Sequence, residues 1–299
     1  LPRPPVQLVA WHGPVEQLFV HPLVLRPRLA FTNDPLGRGF ADYFITAREF
    51  GRILDQLWRN GWTLVDPRRV AADDVRVPPG RKPLVLQEDD VNYYAYFNGR
   101  GLASRLVVAP DGTVKAEYDG HLTDDDVVPM TDAEVALHPE FSADGAKGLL
   151  AVTAYEGFFG EHNLKDPAAR HRLESLVAAL DASGWVIASH TYGHINLSAD
   201  SLSVIARDTS RWKAAAQGLL GAVNILVYPF GARPDPAARK LLRAAGFTVQ
   251  YDIDVRPARW KEDGVVMMSR RHVDGYAFAN PTAMAPFFSV RTVRDPLRP

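Results

Sequence analysis

The sequence predicts an α/β barrel, and three observations predict it. Short apolar runs alternate with helical patterns along most of the 299 residues. Polar residues repeatedly follow the carboxyl ends of those runs, and no clear repeat divides the chain. Strands buried on both faces read as continuous apolar runs, and a barrel gathers whatever follows their carboxyl ends on one rim. A single domain over 1–299 fits, since such barrels run to roughly 250 residues as one unit.

Val6 to Trp11 and Gln17 to Leu25 open the series as apolar runs bounded by Gly and Pro. Thr46 to Trp58 carries a helical pattern in Phe50, Ile53, Leu54 and Leu57, with Thr46 as N-cap and Glu49 at the capping-box position. Asn60-Gly61 ends that helix, and the strand Trp62 to Val65 follows. Pro83 to Leu86 is the next strand, closing at Asp89-Asp90. Leu149 to Thr153 ends at Tyr155-Glu156, Trp185 to Ala188 at His190, and Ile225 to Val227 at Tyr228-Pro229. Thr248 to Tyr251 and Val265 to Met268 complete the series.

One segment departs from the alternation. Arg105 to Val108 and Thr113 to Ala116 flank Asp111-Gly112, a turn signal for a β-hairpin, and an acidic loop through Asp124, Asp125 and Asp126 follows. About 100–145 reads as an inserted β-hairpin segment overhanging the rim and shaping what enters.

Composition excludes several functions. Lys plus Arg (34) nearly balances Asp plus Glu (35) without a block of like charge, which argues against nucleic acid or an anionic membrane as partner. No run of about 18 apolar residues exists, so no transmembrane segment is expected. Without cysteine there are no disulfides or thiolate metal sites. The opening Leu1-Pro2-Arg3-Pro4-Pro5 reads as a mature or trimmed N-terminus, which suits a secreted or cell-envelope protein; a truncated chain is the plainer alternative.

The chemistry points to Ser189-His190-Thr191-Tyr192-Gly193-His194 read with Gln87-Glu88-Asp89-Asp90. Histidines four apart can project from one face of a helical turn and meet one metal ion. The Asp pair offers one carboxylate as third ligand and leaves its neighbour free as a base. Two histidines, a carboxylate and an open position make a reactive metal site rather than a structural one. The plainer readings are polar loop histidines and Asp residues that cap a helix.

Together, the apolar strand with Asp-Asp, then His190-Thr191-Tyr192-Gly193-His194, then Tyr228-Pro229-Phe230-Gly231, resemble the polysaccharide deacetylases of the NodB-homology class. His21 after an apolar strand and the stretch Phe50 to Trp62 resemble the poly-N-acetylglucosamine deacetylase branch. The resemblance covers most of the chain outside the insertion and implies a distorted (β/α) barrel. It also implies metal ligation by Asp90, His190 and His194, with Zn2+ the default among divalent ions. Asp89 would be the general base acting on metal-bound water, which attacks an acetamide of an N-acetylated glycan. His272, in Arg270-Arg271-His272-Val273-Asp274, would protonate the departing amine; a surface histidine beside two arginines is its plainer reading. His21, Tyr155, Tyr228 and Arg270 are candidate substrate contacts, though His21 at a strand end and Tyr155 in a turn also have structural readings.

The chain departs from the family pattern at definite places. Val91 stands where a Gly is usual, Gln87-Glu88 replaces Thr-Phe, and no Arg heads the Leu226 to Phe230 stretch. Arg270 can take that arginine's place, because a planar guanidinium holds a carboxylate bidentately. These departures leave open a catalytically degenerate glycan-binding barrel, or a hydrolase of a non-sugar amide.

Overall fold

The computed structural model describes residues 7–299. The first five residues, on which the trimmed-terminus expectation rests, and Val6 of the first apolar run lie outside the described residues. Seven parallel strands close into a barrel: β1 (Glu16–Val20), β2 (Lys82–Glu88), β3 (Gly148–Val152), β4 (Trp185–Ser189), β5 (Ile225–Val227), β6 (Val249–Ile253) and β7 (Val265–His272). Each pairs with the next, and β7 returns to β1 through Arg271 opposite Leu18 and His272 opposite Phe19. Pairing is sparse at that seam, at β2–β3 and at β4–β5, where only Ser189 opposite Leu226 is in register. These short seams distort the barrel. Trp62–Leu64 joins β2 in parallel, and Arg259–Glu262 joins β7 antiparallel.

Side-chain alternation divides the core in two. Val85, Leu149, Ala151, Ala188, Val227, Tyr251 and Met268 fill the barrel, closed at its amino end by Val65, Val70 and Val75. Leu84, Leu86, Leu150, Val152 and Leu226 point outward and pack against helices. The Ala47–Arg59 helix buries Phe50, Ile53, Leu54 and Leu57 there and starts at the expected capping box: Thr46 accepts from the Glu49 amide while Glu49 accepts from the Thr46 amide. The Pro167–Ser183 helix stops at Gly184 (φ 98°), where a Cβ would lie 2.1 Å from the Gly145 carbonyl oxygen. Only glycine fits that position.

The inserted segment forms the expected antiparallel pair, Arg105–Val108 with Val114–Tyr118, plus a third strand, His121–Thr123. The acidic loop spans Asp124 to Asp126 as expected, and Asp126 then caps a helix over Val127–Leu137 that the sequence reading did not place. Leu106, Val114 and Ala116 are buried and need an apolar wall, so the strands pack outside the barrel against the Pro167–Ser183 and Val127–Leu137 helices. No residue of 100–145 lines the cleft described below. Among the described residues, no helix is long and apolar enough to cross a membrane.

Candidate metal and catalytic site

Asp89 and Asp90 leave the carboxyl end of β2. The Asp89 amide extends the ladder by donating to the Val20 carbonyl (2.9 Å), after which Asp90 turns left-handed (φ 58°). Asp tolerates that conformation better than most residues. The turn separates the two carboxylates: Asp89 faces Arg270, and Asp90 faces two imidazoles.

His190 follows β4, is buried, and donates from Nδ1 to the Val227 carbonyl (3.0 Å). That bond fixes the tautomer and leaves Nε2 with a free lone pair, the usual arrangement behind a metal-ligating histidine. Burial pulls the imidazole pKa down to about 4, against the opposing pull of Asp89 and Asp90, so the ring is neutral. His194 Nε2 lies 3.8 Å from Asp90 Oδ1, and His190 Nε2 lies 4.0 Å from the same oxygen. The ligand atoms of Asp90, His190 and His194 all fall within 4.8 Å of one another. Two imidazole nitrogens and one carboxylate oxygen, with one tautomer already locked, fit a divalent cation such as Zn2+.

No helical turn brings the histidines together. The connecting loop does so with left-handed Thr191 (φ 64°) and His194 (φ 52°). Asp208, from the Leu202–Ala216 helix, clamps it by accepting from the amides of Tyr192 (2.8 Å) and Gly193 (2.9 Å). Nothing in the sequence spacing singles out Asp208.

Asp89 and Arg270 form a buried bidentate pair at 2.5 and 2.6 Å. The guanidinium carbon lies 3.9 Å from the centre of the Phe19 ring. Burial would raise the Asp89 carboxyl, but Arg270, with His190 and His21, holds it at about 2. Both Asp89 oxygens are engaged by Arg270, which leaves Asp90 as the carboxylate available to a cation.

A cleft of about 680 Å³ opens on this rim and is lined by Asp89, Asp90, His190, His194, Arg270, His21 and His272, among others. His21 Nδ1 donates to the Tyr43 carbonyl (2.9 Å) beside the Phe44 ring. His272 lies two residues beyond Arg270, with Nδ1 3.9 Å from Asp274. Burial raises the Asp274 carboxyl, and His272 opposes that rise. Tyr228 is not in the cleft. It is fully buried and donates its hydroxyl to Gln250 in the core. Tyr155 lies to one side, stacked on Tyr94 at 5.2 Å. Sequence reasoning also passed over Phe230, which is exposed in a left-handed conformation (φ 61°) with its ring edge-on to His194 at 4.6 Å.

The family model described as polysaccharide deacetylase matches residues 152–250, a stretch holding His190 and His194 but neither Asp89 nor Asp90. A search of curated proteins finds no match. The barrel is similar to the deacetylase PplD of Streptococcus pyogenes, solved with acetate, at TM-score 0.55 and 14% identity over 90% of this chain and 97% of that one. It is similar to IcaB from Ammonifex degensii at TM-score 0.54 and 17% identity, covering 93% and 98% of the two chains. A de-N-acetylase from Aggregatibacter actinomycetemcomitans aligns at TM-score 0.53 and 15% identity, over 88% and 96%. At these identities the likeness is one of fold.

Proposed function

We propose that this chain is a NodB-type polysaccharide deacetylase that removes acetyl groups from N-acetylated sugars of a polysaccharide or cell-wall glycan in a metal-dependent hydrolysis, a reading supported by the family match over 152–250 and by the barrel. The observation that carries the reading is the convergence of Asp90, His190 and His194 beside an Asp89 whose orientation Arg270 fixes.

Asp90, His190 and His194 would hold the cation, Zn2+ by default. When bound there, a divalent metal makes a water molecule acidic and stabilises negative charge on a carbonyl oxygen. Asp89 accepts the proton of the attacking water. Held at about 2, it is ionised at every working pH and keeps a proton only briefly, so it passes the proton on. His272, on the same cleft, donates a proton to the departing amine. Amide hydrolysis needs that second group because an unprotonated amine leaves poorly. Arg270 serves here as the orienting group of the base. His21, its tautomer set by Tyr43, lines the wall where the sugar enters. The products are acetate and a free amino sugar.

A secreted or cell-envelope site of action goes with a polymeric glycan substrate, and fractionation of the producing cells tests it. The activity is tested by acetate release from poly-N-acetylglucosamine, chitin oligomers and peptidoglycan by zinc-loaded protein. Release from one of them names the substrate class. Binding without release from any points to a glycan-binding barrel, and neither binding nor release points to a non-sugar amide.

A further inference from the structure

Tyr94 lies four residues beyond Asp90, and its ring is buried. The hydroxyl donates to Asp90 Oδ1 at 2.6 Å, and Oδ1 is the oxygen that faces both imidazoles. The same hydroxyl lies 2.9 Å from Thr153 Oγ1. Having given its one proton to Asp90, Tyr94 accepts from Thr153, so a directed chain runs from Thr153 through Tyr94 to Asp90.

Thr153 is itself held in place. Its amide donates to Asn92 Oδ1 (2.8 Å), while Asn92 Nδ2 donates to the carbonyls of Thr153 (3.0 Å) and Gly157 (2.6 Å). Asn92 and Thr153 are fully buried. The Tyr94 ring stacks with those of Tyr155 at 5.2 Å and Tyr96 at 5.5 Å, which restricts how far the hydroxyl can swing. This network starts just beyond β3 and ends on one oxygen of the left-handed Asp90, and the chemistry assigned above gives no role to Tyr94, Thr153 or Asn92.

We infer that Tyr94 is a positioning residue for the metal site, fixing the Asp90 carboxylate and occupying one lone pair of Oδ1 so that the other is presented to the cation. The inference rests on Asp90, His190 and His194 being the ligands. A carboxylate has two oxygens and a soft terminal torsion, so without a partner it samples orientations that do not ligate. Groups standing behind metal ligands typically carry 10–100-fold in affinity or activity.

The test is titration of metal-free protein with Co2+, following the visible d–d absorption, in wild type, Tyr94→Phe and Thr153→Val. Phe keeps the ring stack and removes one oxygen. Tyr94→Phe is expected to bind cobalt about tenfold more weakly and with shifted bands, whereas a purely structural role would move the melting temperature and leave the bands alone. Thr153→Val is expected to shift both readings the same way by less, and the double variant to be no worse than Tyr94→Phe. Wild-type affinity and bands in Tyr94→Phe overturn the inference. If that variant does not fold, wild-type values in Thr153→Val overturn it. Wild-type protein that takes up no cobalt removes the metal reading itself, and this inference with it.

Discussion

Replacing Arg270 with Met probes the link between the fold and the base. The pair it breaks is bidentate at 2.5 and 2.6 Å, with only 1% and 4% of the two side chains exposed. Removing one partner of a buried pair leaves an uncompensated charge and costs about 3–5 kcal/mol. At roughly 2–4 °C per kcal/mol for a domain near this size, the melting temperature of metal-free protein should fall by roughly 6–20 °C. Asp89→Asn in the same background removes the stranded charge and should recover much of the loss, whereas independent effects would add. Calorimetry on the four metal-free proteins gives the cycle. The rate should respond as well. Without the guanidinium that holds it at about 2, the Asp89 carboxyl rises and is protonated over more of the acid range. The acid edge of the rate profile therefore moves to higher pH. Arg270→Met protein that melts with wild type and keeps the wild-type acid edge would refute the reasoning.

Three further outcomes are expected. Asp90→Ala and His194→Ala should each lose bound metal on dialysis, read by elemental analysis; one metal per chain in either variant contradicts the ligand set. His272→Ala should slow turnover about 10²–10⁴-fold, the usual contribution of a general acid, with substrate binding little changed. An unchanged rate moves that role to another cleft residue, and His21→Ala measured alongside tells whether it is His21. Glu88 is fully buried with neither carboxyl oxygen hydrogen-bonded, and burial, then Asp126 and Asp89, raises it well above its ordinary 4.5. The folded state therefore binds a proton that the unfolded state releases: stability is full below about 4.5 and falls as pH rises, by about 1.4 kcal/mol per unit while the folded chain keeps that proton. Glu88→Gln should flatten this slope in urea unfolding between pH 5 and 7, and an unaltered slope contradicts the assignment.

The sequence reveals most where burial is two-sided. Leu149 to Val152 and Ile225 to Val227 are apolar throughout because they face a filled barrel and a helix layer, and their strands match the reading closely. Polar ends were harder to place. β2 continues through Gln87-Glu88 and β7 through Ser269 to His272; Gln87 pairs with Gln17 and Arg270 with Asp89, whereas Glu88 is buried with neither carboxyl oxygen paired. The Asp-Asp and His-Thr-x-x-His constellation was readable because its residues follow strands that converge, although the loop joining the histidines depends on two left-handed residues and on Asp208. Arg270 could be proposed as the orienting arginine from its chemistry alone, with no indication of its distance. Tyr228 was misleading: it closes an apolar strand as a rim residue would, yet its hydroxyl finds Gln250 in the core. The Val127–Leu137 helix was missed because its cap, Asp126, ends a run of three acidic residues that reads as loop.

The central claim is that Asp89 acts as the base beside a cation held by other residues. Acetate release from poly-N-acetylglucosamine oligomers, by wild type and Asp89→Asn at equal measured metal content, tests it most directly. The account predicts one divalent ion per chain in both proteins, release by the wild type, and loss of nearly all release in Asp89→Asn. Full release by metal-loaded Asp89→Asn, or loss of the metal along with the activity, would contradict it.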